Sequence, residues 1–565
     1  MIFNILYCNN IVDMKIKSLI FVFLFILTGI SHCSEPLNQN SLTEIDKSSF
    51  IHRKGTELVI GKNDEPIWLK GVCFGNYVWD GAGIPSFHHS VSDYQRVKDM
   101  NMNAIRFYLN YSFFFKDNNK KQYSNECWAW LDDNIEMAKQ HGIYLILNMH
   151  VPPGGFQSNG EGLELWDKKE NQDRFKKLWK AIAKKYKNEP VIAGYDILNE
   201  PVTSQSIDQW KELAQETVDA IRSEDINHLI IVERLNGIAG KWETYSSINL
   251  FLVNDENTMY TFHYYNPIEY THQNTSWTSF GEGGAYPDRN WLEVPQDATW
   301  VARNFNSPYL PVGNSDWTFY KGKQLKITDP TIIAGKPLLV SCKNSGNAYF
   351  DDFVVKEFDE KGNFVKNACE INIKPENDWQ LWSDDQSGCS VVDKATGHKD
   401  SASLMVSDTT GAANCYNNKF RFAVRTNYSY SIEGWMKGER INSDAQCQLG
   451  IVFEQSPARR QAMPRDKEYL ESELKRFIDF GKTNNVPVYV GEWGLYQDCF
   501  SSGKGGESWV SDMLDLFNRY KVHYTYHAYH ESAFGIFNNP EGLPDISQAN
   551  TTLIDLFKKK IPVSD

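Results

Sequence analysis

The residues able to do chemistry in this sequence are scattered, and nearly all of them fall where an apolar run ends. Asn199 and Glu200 stand near the end of GYDILNEP (194–201), and Pro201 closes it. His150 ends IYLILNMH (143–150), His263 and Tyr265 end TMYTFHYY (258–265), and Glu492 stands near the end of VPVYVGEWG (486–494); Arg106 lies within NAIRFYL (103–109). A single Glu at a strand end is most simply a solvated or salt-bridged residue. Two Glu gathered with His, Tyr, Arg and Asn form a set that can donate a proton and stabilise charge. Two carboxyls across a cleft suit glycosidic bond cleavage. One must be protonated to give its proton to the leaving oxygen; the other must be ionised to attack the anomeric carbon or to activate water. Burial and mutual repulsion push their pKa values apart, and that separation assigns the roles.

Such residues meet only if the fold brings those run ends to one rim. IWLKGVCFGN (67–76), NAIRFYL, IYLILNMH, VIAGYDILNEP, HLIIVERL (228–235), TMYTFHYY, VPVYVGEWG and VHYTYHAYHE (522–531) read as eight strands. Helical patterns alternate with them: VSDYQRVKDMN, WAWLDDNIEMAKQHG closed by Gly142, QDRFKKLWKAIAKKY, SIDQWKELAQETVDAIRSE with Ser206 as N-cap, DKEYLESELKRFIDFGKTNN, ESWVSDMLDLFNRYK and TTLIDLFKKK. Continuous apolar strands alternating with amphipathic helices predict a parallel sheet covered on both faces. The expected fold class is α/β, an eight-stranded (β/α)8 barrel with eight helix slots. Its active-site rim is the C-terminal end of the strands.

The alternation fails between residues 311 and 457. KPLLVSC, AYFDDFVVKEF, ASLMVS, FRFAVRT, YSYSIEGWMK and CQLGIVFEQ are strand-like and separated by Gly, Asn, Asp and Ser. This predicts an inserted antiparallel β-sandwich. The division is then a leader (1–33), a first barrel part (34–310), the insertion (311–457) and a second barrel part (458–565). Following strand six, the insertion grows from the catalytic rim, where Trp379, Trp382 and Trp435 are either sugar contacts or sandwich core.

The chain has 565 residues, 41% hydrophobic and 23% charged, and a net charge of −14, which excludes a nucleic-acid binder relying on basic surface. Aromatic residues reach 14%, enough for a large core with rings left over for stacking on sugars. Lys15 and Lys17 precede SLIFVFLFILTGI, a secretory signal pattern, and Met14 makes a more ordinary start than Met1. The expectation is an extracellular or periplasmic protein with no stable membrane span after leader removal; Cys33 offers a weaker lipoprotein reading. Of ten cysteines, Cys73 and Cys127 lie on apolar element faces as buried thiols, and Cys369 with Cys389 is the first pair to test for a disulfide. No Cys/His spacing indicates a zinc site.

In order and on the expected strands, LNMH, DILNEP, FHYY and VYVGEWG resemble glycoside hydrolase family 5, the cellulase family of retaining barrel glycosidases. The likeness covers roughly residues 52–300 and 460–562. It implies Glu200 as general acid/base and Glu492 as nucleophile. Asn199 would hold the sugar 2-hydroxyl, His263 and Tyr265 would tune the carboxylates, Arg106 would keep the nucleophile ionised, and His150 would line the site. No catalytic metal or cofactor is implied. In this family strand eight presents a Trp as sugar platform, whereas the aligned residue is His527; either His527 acts there, or Trp493 or Trp242 replaces the platform. His150 with the loop VPPGGFQSNGEG resembles cellulases and exo-β-1,3-glucanases alike, so the expected partner is a β-glucan polysaccharide or oligosaccharide. The chain is read as a secreted endo-β-1,4-glucanase-like enzyme. An exo-β-1,3-glucanase, β-mannanase or glycosylceramide-type β-glycosidase is the enzymatic alternative, and a catalytically silent carbohydrate-binding surface protein the non-enzymatic one. NAYFDDFVVKEF resembles the last strand of jelly-roll carbohydrate-binding modules, and the later segment from SGCSVVDKATGHKDSASLMVS to YSYSIEGWMKG resembles the first half of the same fold, which implies a circularly permuted jelly roll. Modules of that type carry a structural calcium.

Overall fold

A computed structural model describes residues 47–563 except 81–83, 85–88, 116–121, 159, 243–247, 279, 306, 375–378, 384–387, 401, 417–419, 457 and 540–541. The leader, with Cys8 and Cys33, lies outside the described residues, as do the side chains of Trp242 and Trp382.

Eight parallel strands close into a barrel: β1 Lys70–Phe74, β2 Ala104–Asn110, β3 Tyr144–Val151, β4 Ile192–Asp196, β5 Leu229–Glu233, β6 Thr258–His263, β7 Val488–Trp493 and β8 His523–Tyr526. Each pairs with its neighbours in sequence, and β8 returns to β1 through Tyr524↔Lys70. Every residue of β1, β2, β4, β5 and β8 is buried, which explains why these strands read as unbroken apolar runs.

Around the strands run α1 Val91–Asp99, α2 Asn125–His141, α3 Lys169–Tyr186, α4 Ile207–Arg222, α5 Lys467–Asn484, α6 Gly506–Tyr520 and α7 Thr551–Lys560. The stop and start signals act as expected. Gly142 ends α2 in the left-handed region at φ 64°, and Ser206 with Gln209 forms a capping box on α4. One expectation fails. Among the described residues no α-helix joins β5 to β6; short strands Gly237–Ile238 and Lys241–Trp242 lie there, and the former extends Val202–Thr203 at the rim. Ile248, Leu250, Phe251 and Val253 of that connection pack against the barrel in irregular conformation and cover it without a helix.

A small N-terminal sheet (His52–Lys54, Glu57–Ile60, Glu65–Pro66) accompanies a cluster of Ile51, Leu58, Leu69, Ala104, Leu229 and Met259 at the strand starts. This plugs the barrel's N-terminal face and leaves the C-terminal ends as the open rim.

The all-β insertion leaves after β6 and returns before α5. Its sheet begins ahead of residue 311: Thr299–Phe305 pairs antiparallel with Gln446–Gln455. This strand stands at the sheet edge and needs little apolar content, so TWVARNF carried no clear pattern. KPLLVSC and AYFDDFVVKEF, read separately, are two halves of one long strand, Ile332–Phe358, whose register slips between Cys342 and Ala348. Leu339, Phe350, Val355, Tyr430, Ile432 and Leu449 lie in its core. Trp379 packs on Phe353 and Phe420, while Trp435 stacks on His398 with centroids 3.7 Å apart. The insertion's two ends meet, since Ser456 Oγ donates to Asp297 Oδ2 at 2.7 Å.

Cys73, Cys127, Cys369, Cys389, Cys415, Cys447 and Cys499 are free thiols. Cys73 and Cys127 are buried thiols; Cys369 and Cys389 form no bond with each other. They ride on separate strands, one paired with Ile332–Phe358 and the other with Ser403–Tyr416.

Candidate active site

Arg106 organises the rim from below. It is fully buried, and its planar fork reaches three groups at once: Nε donates to Asp196 Oδ2 at 2.7 Å, Nη1 to Glu492 Oε1 at 2.7 Å and Nη2 to Asn199 Oδ1 at 3.0 Å. An ammonium point charge could not serve three planar directions together. Both oxygens of Glu492 are occupied. Tyr108 Oη donates to Oε1 at 2.6 Å and Tyr265 Oη to Oε2 at 2.9 Å. Burial alone would lift the Glu492 carboxyl, but the charges of His263, His527 and Arg106 outweigh it and hold it well below the ordinary carboxylate range. Gly491, just before it, is required by packing: a Cβ there would lie 2.7 Å from Thr261 Oγ1 and 3.4 Å from the His263 ring.

Glu200 lies beyond the end of β4 in the left-handed region, φ 45°, a strained conformation for a residue with a side chain. The strain is held by its own N–H, which donates to Glu233 Oε2 at 2.9 Å. His263 sits among three carboxylates. Its Nδ1 is 2.7 Å from Glu200 Oε1 and 3.4 Å from Glu492 Oε2, and its Nε2 is 3.5 Å from Glu233 Oε2. Burial opposes a charge on His263, yet Glu233, Glu492 and Glu200 raise it to about 9. Burial pushes Glu233 itself up to about 7, against the pull of His263. One ligating atom each from Glu200, His263 and Glu492 lies within 4.8 Å of the others.

Residues 66–312 match the cellulase family, glycosyl hydrolase family 5. The match ends inside the insertion, so Glu492 and His527 come from strands beyond it. Endoglucanase C of Acetivibrio thermocellus is 28% identical over 190 residues, 33% of this chain and 53% of that protein. Cellodextrinase A of Ruminococcus flavefaciens is 26% identical over 188 residues, 33% and 54%. A beta-xylosidase of Phanerodontia chrysosporium is 30% identical over 176 residues, 30% and 36%. The chain thus spans about half the length of the first of these curated relatives. The solved structure of endoglucanase Cel5A from Thermotoga maritima aligns over 86% of this chain and 96% of that one, at 16% identity and a TM-score of 0.45.

The structure gathers Arg106, Asn199, Glu200, His263, Tyr265 and Glu492 as one bonded set. His150 lies at its edge, stacked on Tyr108 with centroids 4.0 Å apart, and burial keeps its imidazole well below the ordinary value. His527 joins the set through Tyr108, with Nδ1 3.1 Å from the phenol oxygen. Trp493 is a correction. It is fully buried among Trp509, Phe517, Tyr526 and Phe557, on the helix side of the barrel, because adjacent strand residues face opposite ways and Glu492 faces in. It offers no face to a sugar.

Other contributors went unread in the sequence. Tyr108 follows Arg106 by two residues and so shares its inward face, a signal period-2 reading contains. Asp196 and Glu233 end β4 and β5 and looked like strand punctuation. At the rim Trp79 is 38% exposed and sits 6.4 Å from the His150 ring; Trp277 is 59% exposed beside Tyr496 and Phe534, which in turn neighbours His527. Among the described residues these two exposed indoles flank the site.

Glu200, His263 and Glu492 would be the donor set for a cation, but Arg106 already supplies a positive charge 2.7 Å from Glu492, and His263 Nδ1 is committed to Glu200. The arrangement handles protons. In the insertion, calcium would need an oxygen cage. The Asp351 and Asp352 carboxylates instead accept N–H groups of His398, Ile373 and Asn372. That donor environment does not fit calcium.

Proposed function

We propose that the protein is a retaining β-glycosidase acting on β-linked glucan, with Glu492 as nucleophile and Glu200 as acid/base. The observation that carries this reading is the short gap between the two carboxylates. Inverting enzymes hold theirs about 6.5–9.5 Å apart to admit a water, whereas retaining enzymes keep them about 5–5.5 Å apart; here one oxygen of each lies within 4.8 Å.

Glu492, held ionised by three donors, attacks the anomeric carbon while Glu200 protonates the departing oxygen. In the second half-reaction Glu200 takes a proton from water, which displaces Glu492. The 2.7 Å contact between His263 Nδ1 and Glu200 Oε1 lets a proton pass between them, with Glu233 behind the ring at 3.5 Å. Asn199 has its Oδ1 held by Arg106 and its Nδ2 donating to Ser158 Oγ at 3.3 Å, a long contact that a sugar hydroxyl would take over. Chemistry of this kind needs no cofactor.

Names among the relatives, endoglucanase and cellodextrinase, favour a β-1,4-glucan substrate. The signal-like N-terminus favours action outside the cell. Among the described residues no helix is long and apolar enough to cross a membrane. The experiment is a panel of soluble β-1,4- and β-1,3-glucans, mannan, xylan and defined oligosaccharides, with product anomer followed by NMR. Retained β-anomer and loss of turnover in both Glu200→Gln and Glu492→Gln are expected. An inverted product overturns the nucleophile assignment, and wild-type inactivity on every β-glycan overturns the enzyme.

A further inference from the structure

We propose that Glu531, His527 and Tyr108 form a chain, an ion pair followed by hydrogen bonds, that brings a positive charge up to Glu492 and keeps that carboxylate ionised. The proposal rests on the retaining reading for its catalytic meaning and on geometry for its existence.

The directions of the hydrogen bonds follow from counting protons. An ionised Glu492 only accepts, so Tyr108 Oη, 2.6 Å from Oε1, spends its single proton there. The phenol oxygen must then accept from its other neighbours, Arg106 Nη1 at 3.3 Å and His527 Nδ1 at 3.1 Å. His527 therefore carries a proton on Nδ1. Its Nε2 lies 3.4 Å from Glu531 Oε1. That oxygen is pinned by the Phe534 N–H at 2.9 Å. A carboxylate brings no proton, so only an Nε2–H makes this contact attractive. Both ring nitrogens donate, and His527 is an imidazolium.

The surroundings agree. The groups facing His527 are Glu531 and Glu492 on the negative side, and Arg106, His150, His272, Cys73 and Tyr108 otherwise. Burial holds His150 well below its ordinary value and His272 down at about 3, so neither competes for the charge. Burial disfavours a charge on His527 as well, but Glu531 and Glu492 more than reverse this. The side chains of His527 and Glu531 are only 14% and 11% exposed, so water screens the pair weakly.

Where the family places an indole, this chain thus places a cation with its own counter-ion. No proton needs to travel along the chain in either half-reaction. Its charge stabilises Glu492 before attack. Once the glycosyl bond to Glu492 forms, that negative charge is gone, and regenerating it on hydrolysis is favoured by the waiting imidazolium. Glu531 and His527 are positioning residues acting through Tyr108.

The test pairs kinetics with spectroscopy. In Glu531→Gln, kcat/KM at neutral pH should stay near wild type because Glu492 is ionised with or without the cation, while the alkaline limb of kcat on an activated aryl glycoside, where hydrolysis must regenerate the Glu492 charge, moves acidward by about one unit, a loss of about tenfold at pH 8. Histidine-selective 15N labelling, with His527 identified by the signal missing in His527→Gln, should show both nitrogens protonated at pH 7 in wild type and a neutral ring in Glu531→Gln. A neutral His527 in wild type, a superimposable pH profile, or a loss uniform across pH would each overturn the chain. If Glu492→Gln is dead while the Glu531→Gln profile is unmoved, the chain fails and the hydrolase reading stands. If wild type turns over no β-glycan, the hydrolase reading fails and the 15N spectra alone decide the chain.

Discussion

Replacing Tyr265 by Phe removes one donor from Glu492 and almost no volume. The lost contact is the 2.9 Å bond from the phenol to Oε2. A hydrogen bond to a charged group is worth about 1.5–3 kcal/mol, and 1.36 kcal/mol corresponds to one pKa unit, so the carboxyl should rise by about one to two units. The sign follows from what is removed: the bond favours the ionised form, so its loss makes Glu492 easier to protonate. Arg106 and Tyr108 still hold Oε1 at 2.7 and 2.6 Å, so the shift belongs at the lower end. Wild-type Glu492 starts well below the ordinary range, and the single change brings its titration only part of the way back. Tyr108→Phe combined with Tyr265→Phe should lift the acid limb of kcat/KM by roughly two units or more in all. The assay is kcat/KM for an aryl β-cellobioside from pH 3 to 9, with melting followed at each pH. At the plateau the effect should be small, because the nucleophile's charge diminishes as it attacks and a more basic carboxylate attacks at least as well. An acid limb that coincides with wild type in the double variant would refute the view that these phenols set the nucleophile's charge.

Glu233→Gln should change the pH dependence of stability. Its carboxyl moves from 4.5 in the unfolded chain to about 7 when folded, so ionising it opposes folding by about 3 kcal/mol above pH 7 and not at all below pH 4.5. The variant should gain on wild type between pH 5 and 8 in urea unfolding; a constant difference across that window would contradict the assignment. Trp79→Ala and Trp277→Ala should raise KM for long oligosaccharides about two- to tenfold each while sparing kcat on a short aryl glycoside, as a stacking contact of 0.5–1.5 kcal/mol requires; unchanged KM would remove them from the substrate path. Excising 311–457 strands Thr299–Phe305 without its partner Gln446–Gln455 and should give aggregated protein, whereas a short linker from 297 to 456 should give a folded barrel. Equal solubility and melting of the two deletions would show that the strand is dispensable.

The barrel could be read in the sequence because buried parallel strands leave an unmistakable trace: an apolar run that ends on a polar residue. Glu200 and Glu492 were visible for that reason. Glu233 and Asp196 end their runs too, but nothing local distinguishes a carboxylate beneath the site from one that merely caps a strand; the difference is the presence of Arg106 and His263, supplied by other strands. Trp493 was misjudged by proximity to Glu492 when alternation alone assigns it to the other face. The helix expected between β5 and β6 came from completing the barrel pattern; Ile248, Leu250, Phe251 and Val253 cover that face instead, in irregular conformation. Edge strands such as Thr299–Phe305 escaped because half their surface faces water and their composition follows it. Glu531 looked like one more strand-end acid until the ring nitrogen of His527 was found beside it.

The contact between Asp297 and Ser456 bears on how the barrel can be completed at all. β7 and β8 must insert between β6 and β1, yet on the order of 160 residues separate the departure of the chain from its return. Closing a flexible loop of that length costs about 3 kcal/mol more entropy than closing one of hairpin length, by the logarithmic dependence on length. A sandwich that folds on its own and delivers its two ends side by side removes that penalty before β7 arrives. The insertion then behaves, for the chain entropy of the barrel, as a connection only a few residues long, and the strand bearing Glu492 is presented to its gap by a domain that has already ordered itself.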